Sequence, residues 1–344
     1  MESQIEKENV AVVLGGSGYI AGYTINYIFD NDIYDSVYIV DIKEPRREVW
    51  TAKTAESYQN GTLVYLHGDV RETIIIEGVK TISCIFNYAA IHREPGHEDI
   101  EYFETNIKGA ENCIALAKEK RCSQIIFTSS IAPYGHADIA RTEKSQVVPY
   151  SPYGSSKLVA EKIHEGWQSC AEENALIIIR PGVIFGPHED GNVPRLRDAL
   201  KKGYFCYVGN KQVRKSGGYV KELVNSIFWV KERQDNSNEK VILYNFSFPE
   251  PPMLEEYVRD IIFTLGIRRS VPTIPFKVLL ALSYCISFFS NLFNIKQPIH
   301  PKRIKKLTID NTIVPEYLIT NSYPYKYTLL TCLEDWKHES PREW

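Results

Sequence analysis

The first half of the chain alternates between two kinds of hydrophobic pattern. Val10-Ala-Val-Val-Leu14 is a continuous apolar run, the mark of a strand buried on both faces. Similar runs recur at Ser36–Val40, Leu63–Leu66, Cys84–Asn87, Gln124–Thr128 and Ala175–Ile179, and each predicts a further strand. Helical patterns lie between them. One starts in the glycine turn after Leu14 and ends near Asp30; another runs from Ser155 to about Cys170, with Leu158, Val159, Ile163 and Trp167 at helical spacing. Strands alternating with helices predict an α/β class built on a parallel sheet. The 344 residues suffice for one large α/β unit or two lobes.

Composition narrows the setting. The net charge of −3 gives no general affinity for nucleic acid. The seven cysteines show no CxxC or other metal-ligand spacing, so buried reduced thiols in a reducing compartment are expected. The N-terminal stretch MESQIEKENV is charged and lacks an apolar core, so no signal peptide is expected and the protein reads as cytoplasmic. The histidines carry no metal spacing either: in HREPGH, Pro95-Gly96 breaks any helix that would align them, and no metal is expected.

The turn Gly15-Gly16-Ser17-Gly18-Tyr19-Ile20-Ala21-Gly22 joins the first strand to the first helix. Strand, glycine turn and helix is the context a dinucleotide requires. Gly15 and Gly18 let the backbone turn tightly and approach a pyrophosphate at the helix N-terminus, beside Tyr19 and Ile20. Ala21 or Gly22 is the small residue for helix packing. Asp41 ends the second strand where a carboxylate accepts both ribose hydroxyls and repels a 2′-phosphate; NAD is therefore expected over NADP, with Lys43, Arg46 and Arg47 as opposing cations. Asp69, with Val70, follows the third strand where it meets an adenine edge. Ala89 and Ala90 follow the fourth, small enough for a cofactor to pass over the backbone.

Tyr153 and Lys157 open the helix in Pro152-Tyr-Gly-Ser-Ser-Lys157, four residues apart and so one turn apart on one face. A free tyrosine has a pKa of about 10, and a nearby ammonium favours the phenolate. A tyrosine tuned in this way passes a proton to and from a substrate hydroxyl. Standing alone, the pair reads equally as a surface Tyr and Lys at a helix start.

The ordered set changes that. Gly15–Ala21, Asp41, Gly68-Asp69, Ala89-Ala90, Asn106 in TNIKGAENC, Thr128-Ser129-Ser130, Tyr153–Lys157, Arg180-Pro181 and Gly186-Pro187 follow one another as in the extended short-chain dehydrogenases/reductases, the group of nucleotide-sugar epimerases, dehydratases and reductases, which the chain resembles. The resemblance implies a Rossmann doubly wound sheet over 8–180, with 181–344 mainly a smaller substrate-binding lobe from which a strand or helix returns to the first. It implies Tyr153 as acid/base, Lys157 as the cation beside it, and Ser130 bonding the reacting oxygen. It further implies NAD contacts that include Pro181, a nucleoside-diphosphate sugar as substrate, and a homodimer through helices at Tyr102–Lys120 and Tyr153–Cys170.

The departures refine the chemistry. After Ser130 stand Ile131 and Ala132, where the family's 4,6-dehydratases carry Asp-Glu; aliphatic side chains exchange no protons, which argues against elimination of water. The glutamate of the decarboxylases is missing too. His92 and Arg93 fall where the family places a loop beside nicotinamide and substrate, and read either as substrate contacts or as a surface pair; His136 has a weaker claim. Asn192 begins a helix to about Lys202 whose N-terminus faces a diphosphate in this reading. Arg214-Lys215 falls where epimerases place a diphosphate-gripping arginine, or else is a solvated basic loop. Val183 replaces an asparagine of many sugar-nucleotide members.

The stretch 278–295 is uncharged, with Ser283, Ser287, Ser290 and Asn294 drawing one polar stripe, and a basic cluster follows at 301–306. An amphipathic helix packed on the lobe, or one making weak membrane-surface contact through 278–306, both fit. The leading expectation is an NAD-dependent nucleotide-sugar 4-epimerase or 4-ketoreductase in surface-glycan precursor synthesis. The alternatives are a 3β-hydroxysteroid-dehydrogenase-like lipid-alcohol oxidoreductase and a non-catalytic NAD-binding regulator.

Overall fold

A computed structural model describes residues 9–93, 96–135, 139–277 and 312–344. His136, Cys285 and the 278–306 segment lie outside them.

The apolar runs form one seven-stranded parallel sheet. β1 (Val10–Leu14), β2 (Ser36–Asp41), β3 (Leu63–His67), β4 (Cys84–Asn87), β5 (Gln124–Thr128) and β6 (Ala175–Pro181) are joined by a strand at Val241–Phe246 beyond β6, and the order is that strand, then β6-β5-β4-β1-β2-β3. β1 pairs with both β2 and β4, so the chain reverses its winding direction there. Such a reversal opens a crevice at the carboxyl ends of the two strands. The second half thus supplies the seventh strand, and its Tyr244 and Phe246 join the core.

Helices cover both faces. α1 (Tyr19–Asp30) begins directly after the glycine turn, and Gly22 packs so tightly against Val49 that a Cβ there would lie 2.6 Å from its side chain. α2 (Ala52–Asn60) leads into β3. α3 (Asp99–Glu119) starts ahead of Tyr102 because Glu98 and Glu101 cap it reciprocally. α4 (Pro152–Gln168) starts ahead of Ser155, since Ser151 accepts from the Gly154 N–H at 3.2 Å and Pro152 tolerates the first turn. Tyr153 is therefore in the first turn of α4.

The remainder of the second half packs around α5 (Asn192–Lys202), α6 (Val220–Asp235) and α7 (Leu254–Leu265), with small ladders pairing Val183–Phe185 with Gly217–Tyr219 and Tyr207–Val208 with Thr273–Ile274. A final helix, Leu329–Glu339, is bolted down through buried Trp336, whose ring lies 5.0 Å from the Arg197 guanidinium. Glu343 accepts from Arg197, from Trp336 Nε1 and from the His188 N–H, which ties the 186–191 loop to the C-terminal segment. Among the described residues no helix is long and apolar enough to cross a membrane. Cys84, Cys113, Cys122 and Cys332 are buried free thiols, but Cys206 is half-buried and Cys170 is exposed because it follows the end of α4.

Candidate active site

The glycine turn sits at the crevice between β1 and β4. Gly15 has φ +71°, and a Cβ there would stand 2.6 Å from the Ala89 nitrogen; only glycine lets the turn and the Ala89-Ala90 backbone come this close. Gly18 precedes α1, with its N–H on the Gly15 carbonyl at 3.0 Å, and Tyr19 and Ile20 form the first turn of the helix. Asp41, at the end of β2, is oriented by backbone donors: Ser17 N–H at 3.0 Å and Lys43 N–H at 3.0 Å. A carboxylate has further lone pairs, so both oxygens stay able to accept from hydroxyls. Asp69 is forked by Arg71 at 2.9 and 2.5 Å, and that guanidinium holds its carboxyl below the usual range. Val70 is buried against Gly109.

Asn87 Oδ1 at the end of β4 and Thr128 Oγ1 at the end of β5 are buried without a partner, as is Tyr19 Oη, which lies against Gly186. Such orphans are costly unless something polar meets them. Together with the room that Gly15 leaves, they fit a dinucleotide lying along the strand ends.

On the far side of the crevice α4 lies over β5. Lys157 is 1% exposed, with its ammonium 4.2 Å from the centre of the Phe127 ring. Burial pulls it from its ordinary 10.5 to about 7, against the opposing pull of Glu161. Tyr153, half-buried one turn earlier, has its ring 6.1 Å from that of Tyr102 on α3. Ser130 follows β5 and its Oγ accepts from the Ala132 N–H at 3.1 Å, which leaves its own proton to donate. Pro181 ends β6, and its carbonyl accepts from the Ile131 N–H at 3.3 Å.

Asn106 on α3 ties these parts together. Its amide spans the Ile91 backbone, accepting from N–H at 3.1 Å and donating to C=O at 3.3 Å, and also donates to Ser156 Oγ at 2.9 Å. The loop that follows carries His92 and Arg93. His92 is exposed to solvent; partial desolvation of its ring first, then Arg93 and Lys157 nearby, hold it below the ordinary histidine range. Arg93 is exposed.

The candidate substrate residues of the second half are placed differently. Asn192 is the exposed first residue of α5. Lys215 N–H donates to the Pro252 carbonyl at 3.0 Å, and Arg214 Nη1 donates to the Pro251 carbonyl at 2.8 Å. Gly217, two residues on, is registered with Val183, two residues beyond Pro181, so the basic pair enters the small ladder that continues from the end of β6. Glu189, in the loop before α5, is pushed by burial up to about 7. Its Oε2 also has no partner.

A buried cluster beneath the site carries groups with no role assigned from sequence. Glu161, one turn after Lys157 and fully buried, takes Arg180 Nε at 2.9 Å and Nη2 at 2.6 Å, and also accepts from Ser129 Oγ. The Arg180 guanidinium stacks 4.7 Å from Tyr134, whose hydroxyl donates to Asn245 at 2.8 Å. A signal was present: Arg180 is a lone charge in an apolar strand run, which demands a buried counter-charge, and Glu161 shares the helix face of Lys157.

Comparison with other proteins identifies the family. The profile of the NAD dependent epimerase/dehydratase family matches residues 11–245. An N-acetyl-α-D-glucosaminyl-diphospho-ditrans,octacis-undecaprenol 4-epimerase of Escherichia coli O157:H7 is 27% identical over 264 residues, 76% of this chain and 79% of its own. A 3β-hydroxysteroid-dehydrogenase/decarboxylase of Arabidopsis thaliana is 23% identical over 335 residues, 89% of this chain and 74% of its own. In structure, a UDP-glucuronic acid 4-epimerase from Bacillus cereus in complex with NAD shares the fold with TM-score 0.74 at 16% identity, covering 97% of this chain and 100% of that one. The chain belongs to the NAD-dependent epimerase/dehydratase family, and it is an NAD-dependent enzyme of the extended short-chain dehydrogenase/reductase type.

Proposed function

We propose that this protein is a 4-epimerase of a sugar carried on a diphosphate, acting in the synthesis of surface-glycan precursors with Tyr153 as its acid/base. The observation that carries the reading is the first turn of α4 laid against the end of β5: the wholly buried Lys157 meets the Phe127 ring, Gly154 packs against the Ala132 carbonyl, and only Ile131 and Ala132 follow Ser130. That set supports hydride transfer coupled to one proton transfer, and supplies no acid–base pair for removing water at those positions.

Gly15, Gly18, Tyr19 and Ile20 would hold the pyrophosphate of NAD, Asp41 the adenosine ribose, Asp69 and Val70 the adenine, and Ala89, Ala90, Tyr153, Lys157 and Pro181 the nicotinamide end. NAD when bound supplies reversible hydride acceptance from C4 of the sugar. Tyr153, as phenolate, takes the proton of the 4-hydroxyl as that carbon is oxidised to a ketone, and returns it when the carbon is reduced on the opposite face. Ser130 donates a hydrogen bond to the same oxygen, and the Lys157 charge favours the phenolate. His92 and Arg93 flank the sugar, while Asn192, Arg214 and Lys215 receive the diphosphate.

A 4-ketoreductase uses the same groups, and product analysis separates it from an epimerase. The carrier beyond the diphosphate is a nucleoside or, as in the name of the Escherichia coli relative, a polyprenol. The protein is expected to be a homodimer pairing α3 and α4, working in the cytoplasm. A hydroxysteroid-type oxidoreductase is the rival, favoured by the length of the Arabidopsis match. Incubation with UDP-N-acetylglucosamine and with N-acetylglucosaminyl-diphospho-polyprenol should yield the galacto-configured product from at least one, without net change in NADH. Inertness towards both, with NADH formed from a sterol, refutes the reading.

A further inference from the structure

We infer that the surface formed by the ends of α5 and α7 is a docking face for an anionic lipid bilayer. α5 closes at Gly203, in the left-handed region at φ +87°, and the next residue, Tyr204, is 68% exposed. α7 presents Arg259 and Phe263, four residues apart on one helix face, with Phe263 66% exposed. Arg269 joins the two ends into one surface. Its Nη1 donates to the Leu200 carbonyl at 2.6 Å, and its guanidinium lies where a Gly203 Cβ would meet it at 2.4 Å.

The charge of this surface opposes that of the whole protein. The chain carries −3 overall. Residues 199–209 and 259–277, however, hold Lys201, Lys202, Arg259, Arg268, Arg269 and Lys277. The nearby acids are engaged, Asp260 with Arg259 at 2.7 Å, Glu255 with Lys211 at 2.8 Å and Glu256 with the Met253 N–H. Lys201 donates to Trp344, which leaves Lys202, Arg268, Arg269 and Lys277 as the cations offered to an anion. Singly exposed apolar residues are ordinary on a protein surface. Two aromatic rings about two-thirds exposed within a cationic surround are the pattern of side chains that enter the headgroup zone while lysine and arginine meet lipid phosphates.

Continuity with the chain selects the occupant. Thr273–Ile274 pairs with Tyr207–Val208 just past Tyr204, so the chain leaves this surface at Lys277. The sequence that follows, 278–295, has no charged residue. A second copy docked by the same face would bring like cations against like, which disfavours self-association there. A lipid surface places the site beside the medium in which a polyprenyl-linked sugar resides, but the inference concerns adsorption and does not depend on the epimerase reading.

The test is co-sedimentation of the full chain with vesicles of phosphatidylcholine containing phosphatidylglycerol, set against vesicles of phosphatidylcholine alone. Binding to the anionic vesicles, weakened by salt, is expected. Tyr204→Ser/Phe263→Ser and Lys202→Glu/Arg268→Glu should each lower the partition coefficient at least tenfold while thermal unfolding stays unchanged, since these side chains are exposed. The inference is overturned by absence of binding to anionic vesicles, by both double variants sedimenting like the unmodified protein, or by duplex DNA of equal charge competing the protein off the vesicles.

Discussion

Lys157 is a buried cation whose placement costs stability, and replacing it should reveal that cost. Its folded pKa of about 7 lies below the ordinary 10.5. The unfolded chain therefore binds more protons than the folded one between those values, and stability rises with pH across that window. At about 1.36 kcal/mol per pH unit, the ammonium opposes folding by ~4 kcal/mol at pH 7 and ~2 kcal/mol at pH 9. Lys157→Met keeps an unbranched chain against the Phe127 ring and leaves the Glu161–Arg180 pair intact, so it removes the titrating group with little change in volume. The variant should be more stable than the parent at pH 7, and the gap should shrink by ~2 kcal/mol by pH 9. Groups remote from Lys157 titrate alike in both proteins and cancel in the difference. Denaturant unfolding followed by tryptophan fluorescence, with m unchanged, measures it. A less stable variant at pH 7, or a gap independent of pH, would sink the reasoning, because Lys157 would then keep its ordinary pKa in the folded state, its charge well paired.

Tyr153→Phe retains the ring over Tyr102 but removes the exchangeable proton; turnover should drop roughly 10²–10⁴-fold while NAD affinity by calorimetry stays close to the parent value. Asp41→Ala removes the carboxylate that Ser17 and Lys43 orient, and should narrow the preference for NAD over NADP; equal affinity of the parent for both dinucleotides would show that the preference was never set there. Val159, 40% exposed on the outer face of α4, should carry part of a dimer interface. Val159→Arg should yield a monomer by light scattering at micromolar concentration, and a monomeric parent would refute the pairing.

What the sequence disclosed and what it withheld divide along a physical line. Strand runs were legible because a strand buried on both faces has no polar alternative, and Cys84–Asn87 and Gln124–Thr128 emerge with the boundaries that their composition predicts. The glycine turn was legible because the positive φ of Gly15 and its approach to Ala89 admit no side chain. Helix starts were less so: α4 begins at Pro152 because a serine cap and a proline act together, and apolar spacing does not report that. The groups beneath the site were hardest to place, since Glu161 meets Arg180 and Ser129 across 19 and 32 residues, and no local pattern encodes such a meeting.

That buried cluster nonetheless has a consequence for the chemistry. Glu161 stands one turn beyond Lys157 on α4, Ser129 adjoins Ser130 at the end of β5, and Arg180 adjoins Pro181 at the end of β6, so one carboxylate fixes three elements whose next residues line the site. Removing either partner of a buried pair leaves an uncompensated charge and costs about 3–5 kcal/mol. In the mechanism proposed above, a hydroxyl, a guanidinium and a carboxylate that satisfy one another would hold the elements carrying Ser130, Tyr153 and Lys157 in a fixed relation while the sugar turns to present the opposite face of its C4. The loop 90–93 is fastened separately, by Asn106. The proton-transfer side of the crevice is thus built on buried polar bonds. The residues proposed for the diphosphate lie instead on the exposed start of α5 and in the half-buried 214–215 stretch.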